Sequence, residues 1–423
     1  MIWAAVVGAG LALTAIVVAL RVPLGTASAP FLGQFRFKVS PGTLLAPAVA
    51  VAVLVLTRQG RLDRLGLRWL LVASYLGALA WVLALAMVDG GNGLARPIVL
   101  DDEYLHDVPA VGSDPAEFVR GFVENSPSYA AATRGHPPGL VLLLWSFMRL
   151  GVTRPALLGL LVAVIGAATV PLVLYSVRAL CGKTATARLA PILVLAPYAV
   201  WTAVSLDAVV STLDAALVAA GVLASSPARR GPAAAGWAIV SGLLIGIAAL
   251  FSYTAPWMAL SVICVYFVRR RATLNVVTGA AILVPVLLAQ AAGFNWWDGL
   301  LAARQDFDLH VEPARPVLLW AAISVVVLLL ACGPALVTSA RRVRNTPGWP
   351  FLVGATTAVA VGLGAGFARG GVEHAWLPFF PWLLVAAVAP QRPGGPAPPP
   401  PLLLAGTGAV SAIVIEAVLA TSW

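Results

Sequence analysis

The chain has 423 residues, 60% hydrophobic and only 10% charged, with a mean hydropathy of +0.93. That composition excludes a soluble globular enzyme, which carries roughly 25% charge, and it excludes a disordered regulator as well. The net charge of +10 would invite a nucleic-acid partner in a soluble domain, but here the basic residues stand in short clusters between apolar runs; that pattern orients membrane helices, so no nucleic acid is expected.

Apolar runs of about 20 residues, the length a helix needs to cross roughly 30 Å of hydrocarbon, recur from end to end. Stretches such as 157–174 and 317–336 are almost continuously apolar, unlike the alternating strands of a membrane barrel. The expected fold is an all-α polytopic membrane protein with about 13 transmembrane helices, at 2–20, 42–57, 69–88, 155–177, 189–204, 207–224, 234–251, 253–268, 273–290, 316–338, 351–369, 376–390 and 402–421. Ala27-Ser28-Ala29 looks like a cleavage site, but no basic residue precedes the first run, which reads as a retained span. Gly139 to Leu150 is too short to cross and suits an interfacial helix. Cys181, Cys264 and Cys332 are widely separated, so neither a disulfide nor a cysteine-bound metal is expected.

Charge decides the topology. With Gly139 to Leu150 not crossing, one side collects 16 of the 27 basic residues, from Arg58/Arg61/Arg64/Arg68, Arg178/Lys183/Arg188, Arg229/Arg230, Arg269 to Arg271, Arg341/Arg342/Arg344 and Arg392; the other side receives 11. The richer side is then cytoplasmic. All four histidines and 13 of the 17 carboxylates fall on the external side, and Asp63 is the sole carboxylate in the cytoplasmic loops. Any chemistry is therefore external. Arginine outnumbers lysine 25 to 2 and alanine, glycine and proline abound, as in a GC-rich bacterium, so the expected location is a bacterial plasma membrane with the site facing outward.

The longest loop, 89–138, carries eight carboxylates and three arginines, with a short amphipathic helix predicted over 114–124. Its start, Asp101-Asp102-Glu103-Tyr104-Leu105-His106-Asp107, sets four carboxylates within seven positions. Like charges that close raise at least one pKa, which suits a general base. Arg134-Gly135-His136-Pro137-Pro138-Gly139 makes a rigid turn at the membrane surface. A second external loop, 294–316, holds Arg304, His310 and Arg315, and a third sets Arg369, Glu373 and His374 on a glycine-rich turn. Asp207, Ser211 and Asp214 share one face of a span, with Asp207 near the external end.

The acidic cluster outside a span, the long loop into His136-Pro137-Pro138-Gly139, and Arg154-Pro155 opening a span that ends in a basic turn at Arg178 to Lys183 together resemble the GT-C superfamily of membrane-embedded glycosyltransferases that use polyprenyl-phosphate sugars. Val372 to Phe379 is similar to a late segment of some actinobacterial members. The resemblance covers residues ~70 to 390 and rests on short motifs; three spans precede the acidic loop where the family usually has one. It divides the chain into an N-terminal hairpin and turn (1–68), a catalytic module (69–390), and a proline-rich linker with a last helix (391–423). It implies a catalytic carboxylate at Asp102, with Asp101, Glu103 and Asp107 as rivals. The polar residues gathered on the external face, His106, Arg134, His136, Asp207, Arg304, His310, Arg315, Arg369, Glu373 and His374, are the candidate substrate contacts.

The expected activity is inverting transfer of a hexose or pentose from a polyprenyl-phosphate donor to a glycan, glycolipid or protein of the cell envelope, with membrane lipids as surroundings. No cofactor and no metal site are expected, although the acidic cluster has the ligand type of a divalent ion. The alternative is a transporter or lipid flippase, which would line a path through the bilayer with polar groups. In a cysteine-free background, single cysteines at positions 184 and 343 should resist an impermeant reagent while one at 101 reacts; strong external labelling at 184 or 343 would sink the topology.

Overall fold

The computed structural model describes residues 2–26, 29–203, 205–390 and 399–421. Ala27 and Ser28 of the cleavage-like triplet, and Arg392 with most of the proline-rich linker, lie outside the described residues.

The chain is built almost wholly from helices. The main ones are α1 (Ile2–Ala19), α2 (Leu45–Arg58), α3 (Leu67–Ala86), α4 (Pro115–Asn125), α5 (Gly139–Arg149), α6 (Pro155–Ala167), α7 (Thr169–Val194), α8 (Asp207–Ala224), α9 (Gly231–Ala249), α10 (Ala259–Val268), α11 (Leu274–Ala291), α12 (Trp296–His310), α13 (Val317–Cys332), α14 (Pro334–Arg342), α15 (Trp349–Gly364) and α16 (Pro401–Val418). Among the described residues, eight helices are long and apolar enough to span a membrane, or nine if α13 and α14 count as one bent span. One of the eight, Pro155–Val194, runs for 40 residues. At 1.5 Å per residue that is twice a bilayer. It is broken at Gly182, whose φ of 81° and ψ of −179° lie outside the helix, in the expected basic turn.

Thirteen straight spans are not what the chain forms. The expected 316–338 stops at Cys332, where Gly333 (φ 65°) and Pro334 turn the axis by 99°. The amphipathic α14 then runs off against 385–388, and Ser339 donates to the Leu383 carbonyl. The expected 376–390 is a chain of short turns, Phe380–Leu383 and Val385–Val388, where Pro378 and Pro381 interrupt the ladder. The expected 189–204 bends after Val194, and the helices in 253–268 and 351–369 have shrunk to 14 and 16 residues. The core lies around these irregular pieces: Trp201, Phe351, Phe379, Phe380 and Trp382 are fully buried.

Bonds between loops sort them into the two sets that the arginine pattern separates. On the basic face, Arg269 donates to the Ala179 carbonyl, Arg271 to Arg229 and Arg342 to Ala389. On the acidic face a two-stranded ribbon joins the chain's ends, β1 (Gly33–Phe35) pairing antiparallel with β2 (Leu419–Thr421). Beside it Lys38, 8% exposed, pairs with Glu416 and with Asp89 at the end of α3, at 2.5 and 3.0 Å. Breaking a buried pair strands the remaining charge, at a cost of about 3–5 kcal/mol. Lys38→Met should therefore sharply lower thermal stability in detergent, and Lys38→Met with Glu416→Leu should recover most of the loss; a single variant as stable as the parent would show that the clamp carries no weight.

Candidate functional site

The acidic loop is folded by its own backbone and by one buried carboxylate. Asp114 caps α4 through bonds from the Ala116 and Glu117 amides, and Phe118, Phe122, Tyr129 and Phe294 pack ring against ring beneath it. Asp107, 4% exposed, accepts the Ala130 amide at 2.9 Å and faces His106 Nδ1 at 3.3 Å. The carboxylate is thus taken up in holding the loop closed, and His106 itself is exposed. The Ala132 amide donates to the Asp102 carbonyl, which lays the acidic run alongside 130–136.

That seam leaves Asp101 and Asp102 exposed and draws Glu103 and Tyr104 inward. Tyr104 is buried and sits edge-on to His136, ring centres 5.7 Å apart. His136 donates from Nδ1 to the Ala132 carbonyl at 2.9 Å, which leaves Nε2 facing Asp207 Oδ1 at 3.7 Å. Asp207 opens α8, where a carboxylate complements the helix dipole, and Ser205 donates to its other oxygen at 2.9 Å. Burial, reinforced by the negative charges of Asp207 and Asp102, pushes the Glu103 carboxyl up to about 8. Half-buried His374 stands near enough to His136 to feel its charge; burial above all, and then that charge, push it down to about 3. Burial likewise raises Glu373 to about 7, with Arg315 opposing.

The loop that carries α12 meets the acidic loop. Arg134 Nε lies 2.8 Å from Asp306 Oδ1, and His310 Nδ1 lies 2.9 Å from the same oxygen. Farther along α12, Arg304 pairs with Asp308 at 2.7 Å and stacks over Phe367 at 4.8 Å. Arg369, 7% exposed, spends its guanidinium on the carbonyls of Gly366, Glu312 and Arg315 and on the Glu312 carboxylate, which holds that carboxyl below its usual range. Arg315 in turn donates to the Arg369 carbonyl at 2.7 Å. Sequence reasoning brought all of these residues to one face. The structure divides them into a cluster of Asp102, Glu103, Tyr104, His136, Asp207 and His374, a bridge of Arg134, Asp306 and His310, and a loop lock of Arg304, Glu312, Arg315 and Arg369, with Glu373 beside Arg315.

Two elements had no sequence signal strong enough to find them. One is Tyr104 as the wall of the cluster. The other is an apolar cavity of about 540 Å³ that begins at Pro138 and Gly139, two residues after His136, and is walled by Leu142, Phe251 and Leu288. Leu288 is 66% exposed, so the cavity opens where α11 faces lipid. Gly139 is required there: a Cβ on it would stand 2.4 Å from the Leu250 carbonyl, to which its own amide donates. Among the described residues, no group of three or more His, Cys, Asp or Glu is placed to hold a metal ion.

These features define a polytopic helical membrane protein with a carboxylate-rich cluster on one face above an apolar, lipid-facing cavity. No family model and no curated protein matches the sequence. Among solved structures, the chain is similar to ArnT from Cupriavidus metallidurans in the apo state, at 18% identity and a TM-score of 0.43 over 66% of this chain and 55% of that one. It is similar also to the same protein bound to undecaprenyl phosphate, at 19% identity and a TM-score of 0.42 over 73% and 59%. The chain thus spans little more than half the length of these proteins.

The bridge between the two loops can be measured. Arg134 and Asp306 are each 22% exposed, so their pairing is partly screened and a coupling of roughly 1 kcal/mol is expected. A double-mutant cycle on thermal stability with Arg134→Gln and Asp306→Asn should show it; strictly additive losses would mean that the loops merely lie side by side.

Proposed function

We propose that the chain is an inverting glycosyltransferase that moves a sugar from a polyprenyl-phosphate donor to a hydroxyl of an envelope glycan, glycolipid or protein, on the outer face of a bacterial plasma membrane. The observation that carries this reading is the juxtaposition of Glu103, Asp102 and the His136–Asp207 pair with a lipid-facing apolar cavity that starts two residues beyond His136. A lipid-linked sugar needs both parts, an apolar seat for the tail and an ionisable cluster for the reacting end. Residues 69–390 would form the catalytic module, 1–68 an added N-terminal hairpin, and 391–423 the closing linker and helix.

In the transfer step a carboxylate accepts the proton of the acceptor hydroxyl while its oxygen attacks the anomeric carbon, and the electrons of the breaking C–O bond leave on the lipid phosphate. Half-burial beside Asp207 and Asp102 favours Glu103 for this role over the Asp102 that the resemblance implies, because its raised proton affinity makes it the stronger base. Asp107 is already engaged with Ala130, and Asp101 is exposed. Arg134, half-buried beside the cluster and charged at every working pH, would steady the phosphate as it gains charge, with His136 next to it. Arg304, Arg315 and Arg369, each committed to a carboxylate or carbonyl, would hold the loops, with His310 at their edge.

One observation favours a transporter instead. Asp214 is fully buried along α8, and neither carboxyl oxygen has a hydrogen-bond partner among the described residues. The readings separate on whether label leaves a radiolabelled polyprenyl-phosphate mannose or arabinose in an acceptor-dependent way. Glu103→Gln should slow transfer 10²- to 10⁴-fold, with donor binding kept. A base must be ionised, so the parent rate should climb as pH rises through about 8 and level off above it. Asp102→Asn removes a like charge and should shift that profile to lower pH. If the amide variants at 101, 102, 103 and 107 all keep full activity, the loop is not catalytic and the transporter reading moves ahead.

A further inference from the structure

The basic face has a cavity of its own, about 530 Å³, far from the acidic cluster and independent of what that cluster does. It lies where the end of α2, the turn Arg61–Arg64, α7 and the start of α16 meet. Lys183, Thr184 and Arg188 stand on one side of α7 and line it, with Asp63 on another wall and Leu402 and Pro191 supplying apolar surface.

Three features set these charges apart. Arg269, Arg271 and Arg342 on the same face are spent on carbonyls of neighbouring loops, whereas Lys183 and Arg188 are exposed and have no hydrogen bond or ion pair with any described residue. Asp63 shares their cavity yet makes no ion pair with either, so there is room between the opposite charges. Lys183 is moreover one of only two lysines in the chain, and the other, Lys38, is locked in a buried clamp.

We infer that this cavity seats a zwitterionic phosphate–amine group of the phosphoethanolamine class. Lys183 and Arg188 donate to the phosphate oxygens and Thr184 adds a hydroxyl donor, since cations with several N–H groups make the strong charge-assisted bonds that phosphate requires. Asp63 takes the ammonium, which a purely anionic ligand would leave unanswered and which a methylated amine would answer without hydrogen bonds. The apolar wall accommodates the carbon chain next to the phosphate. A phospholipid headgroup and a soluble phosphoethanolamine present the same chemistry, and a basic pocket between helices on this face is where a headgroup is held most readily.

The test titrates purified full-length protein in detergent with short-chain phosphatidylethanolamine, phosphatidylglycerol and phosphatidylcholine, counting bound lipids by native mass spectrometry. The parent should hold one phosphatidylethanolamine more tightly than either of the others. Lys183→Gln with Arg188→Gln should weaken it by about tenfold or more, the worth of a charge-assisted bond. Asp63→Asn should abolish the preference for phosphatidylethanolamine over phosphatidylglycerol while keeping phosphate binding. Competition by soluble phosphoethanolamine at equal concentration would assign the site to a soluble ligand, and none would assign it to the lipid; either agrees with the chemistry. A parent with no preference overturns the proposal without any variant being needed. So does an equal loss in a control with Arg341→Gln and Arg342→Gln, which would reduce the effect to the general charge of the face.

Discussion

Hydrocarbon offers a peptide group no hydrogen-bond partner, so a backbone amide or carbonyl at membrane depth is answered from within the protein or costs several kcal/mol. Most of this chain meets that demand with helices. Where it leaves the helix, after Val194, at Gly333 and through 376–389, nearly every described residue is buried against other elements. The departures also place the acidic cluster. The break after Val194 delivers Asp207 as the first residue of α8, and the turn before 376 delivers His374 to the neighbourhood of His136.

The same economy governs charge on the acidic face. Asp107, Asp306, Glu312 and Asp207 each have a partner in hydrogen-bonding or ion-pairing range. Glu103 has the Tyr104 amide as a partner, yet it is drawn inward beside two other carboxylates and burial raises its proton affinity. Carboxyls perturbed in this way cluster at functional sites, which is why the proposed transfer step is placed at Glu103, beside the apolar cavity beginning at Pro138.

Much of this was legible in the sequence because bulk solvent sets it. Apolar length gave the helices, and arginine position gave the two faces, since both reflect transfer between water and hydrocarbon. Turn chemistry was legible where it is local, as at Asp114-Pro115 opening α4. What escaped was decided by neighbours distant in the chain. Gly333-Pro334 inside an apolar run becomes a 99° bend only because α14 can pack on 385–388. Asp101, Asp102, Glu103 and Asp107 look alike as letters; the Ala130 and Ala132 amides make one of them a staple and turn another inward. Arg369 reads as a free cation on an external turn, and only the Glu312 and Arg315 carbonyls, more than fifty residues away in sequence, reveal it as a lock.

The clamp at Lys38 has a consequence for how the protein is made. Its buried partner Glu416 is 378 residues downstream, so at a synthesis rate of about 5–20 residues per second the ammonium waits roughly 20–75 s for it. Asp89, only 51 residues downstream, arrives within about 10 s and can hold Lys38 in the interval. The ribbon between β1 and β2 cannot form until the ribosome has nearly finished this segment. A nascent chain cut short before Glu416 would thus present an unsealed edge and a half-paired lysine on its acidic face, a mark by which quality control could tell it from a chain in which the clamp has closed.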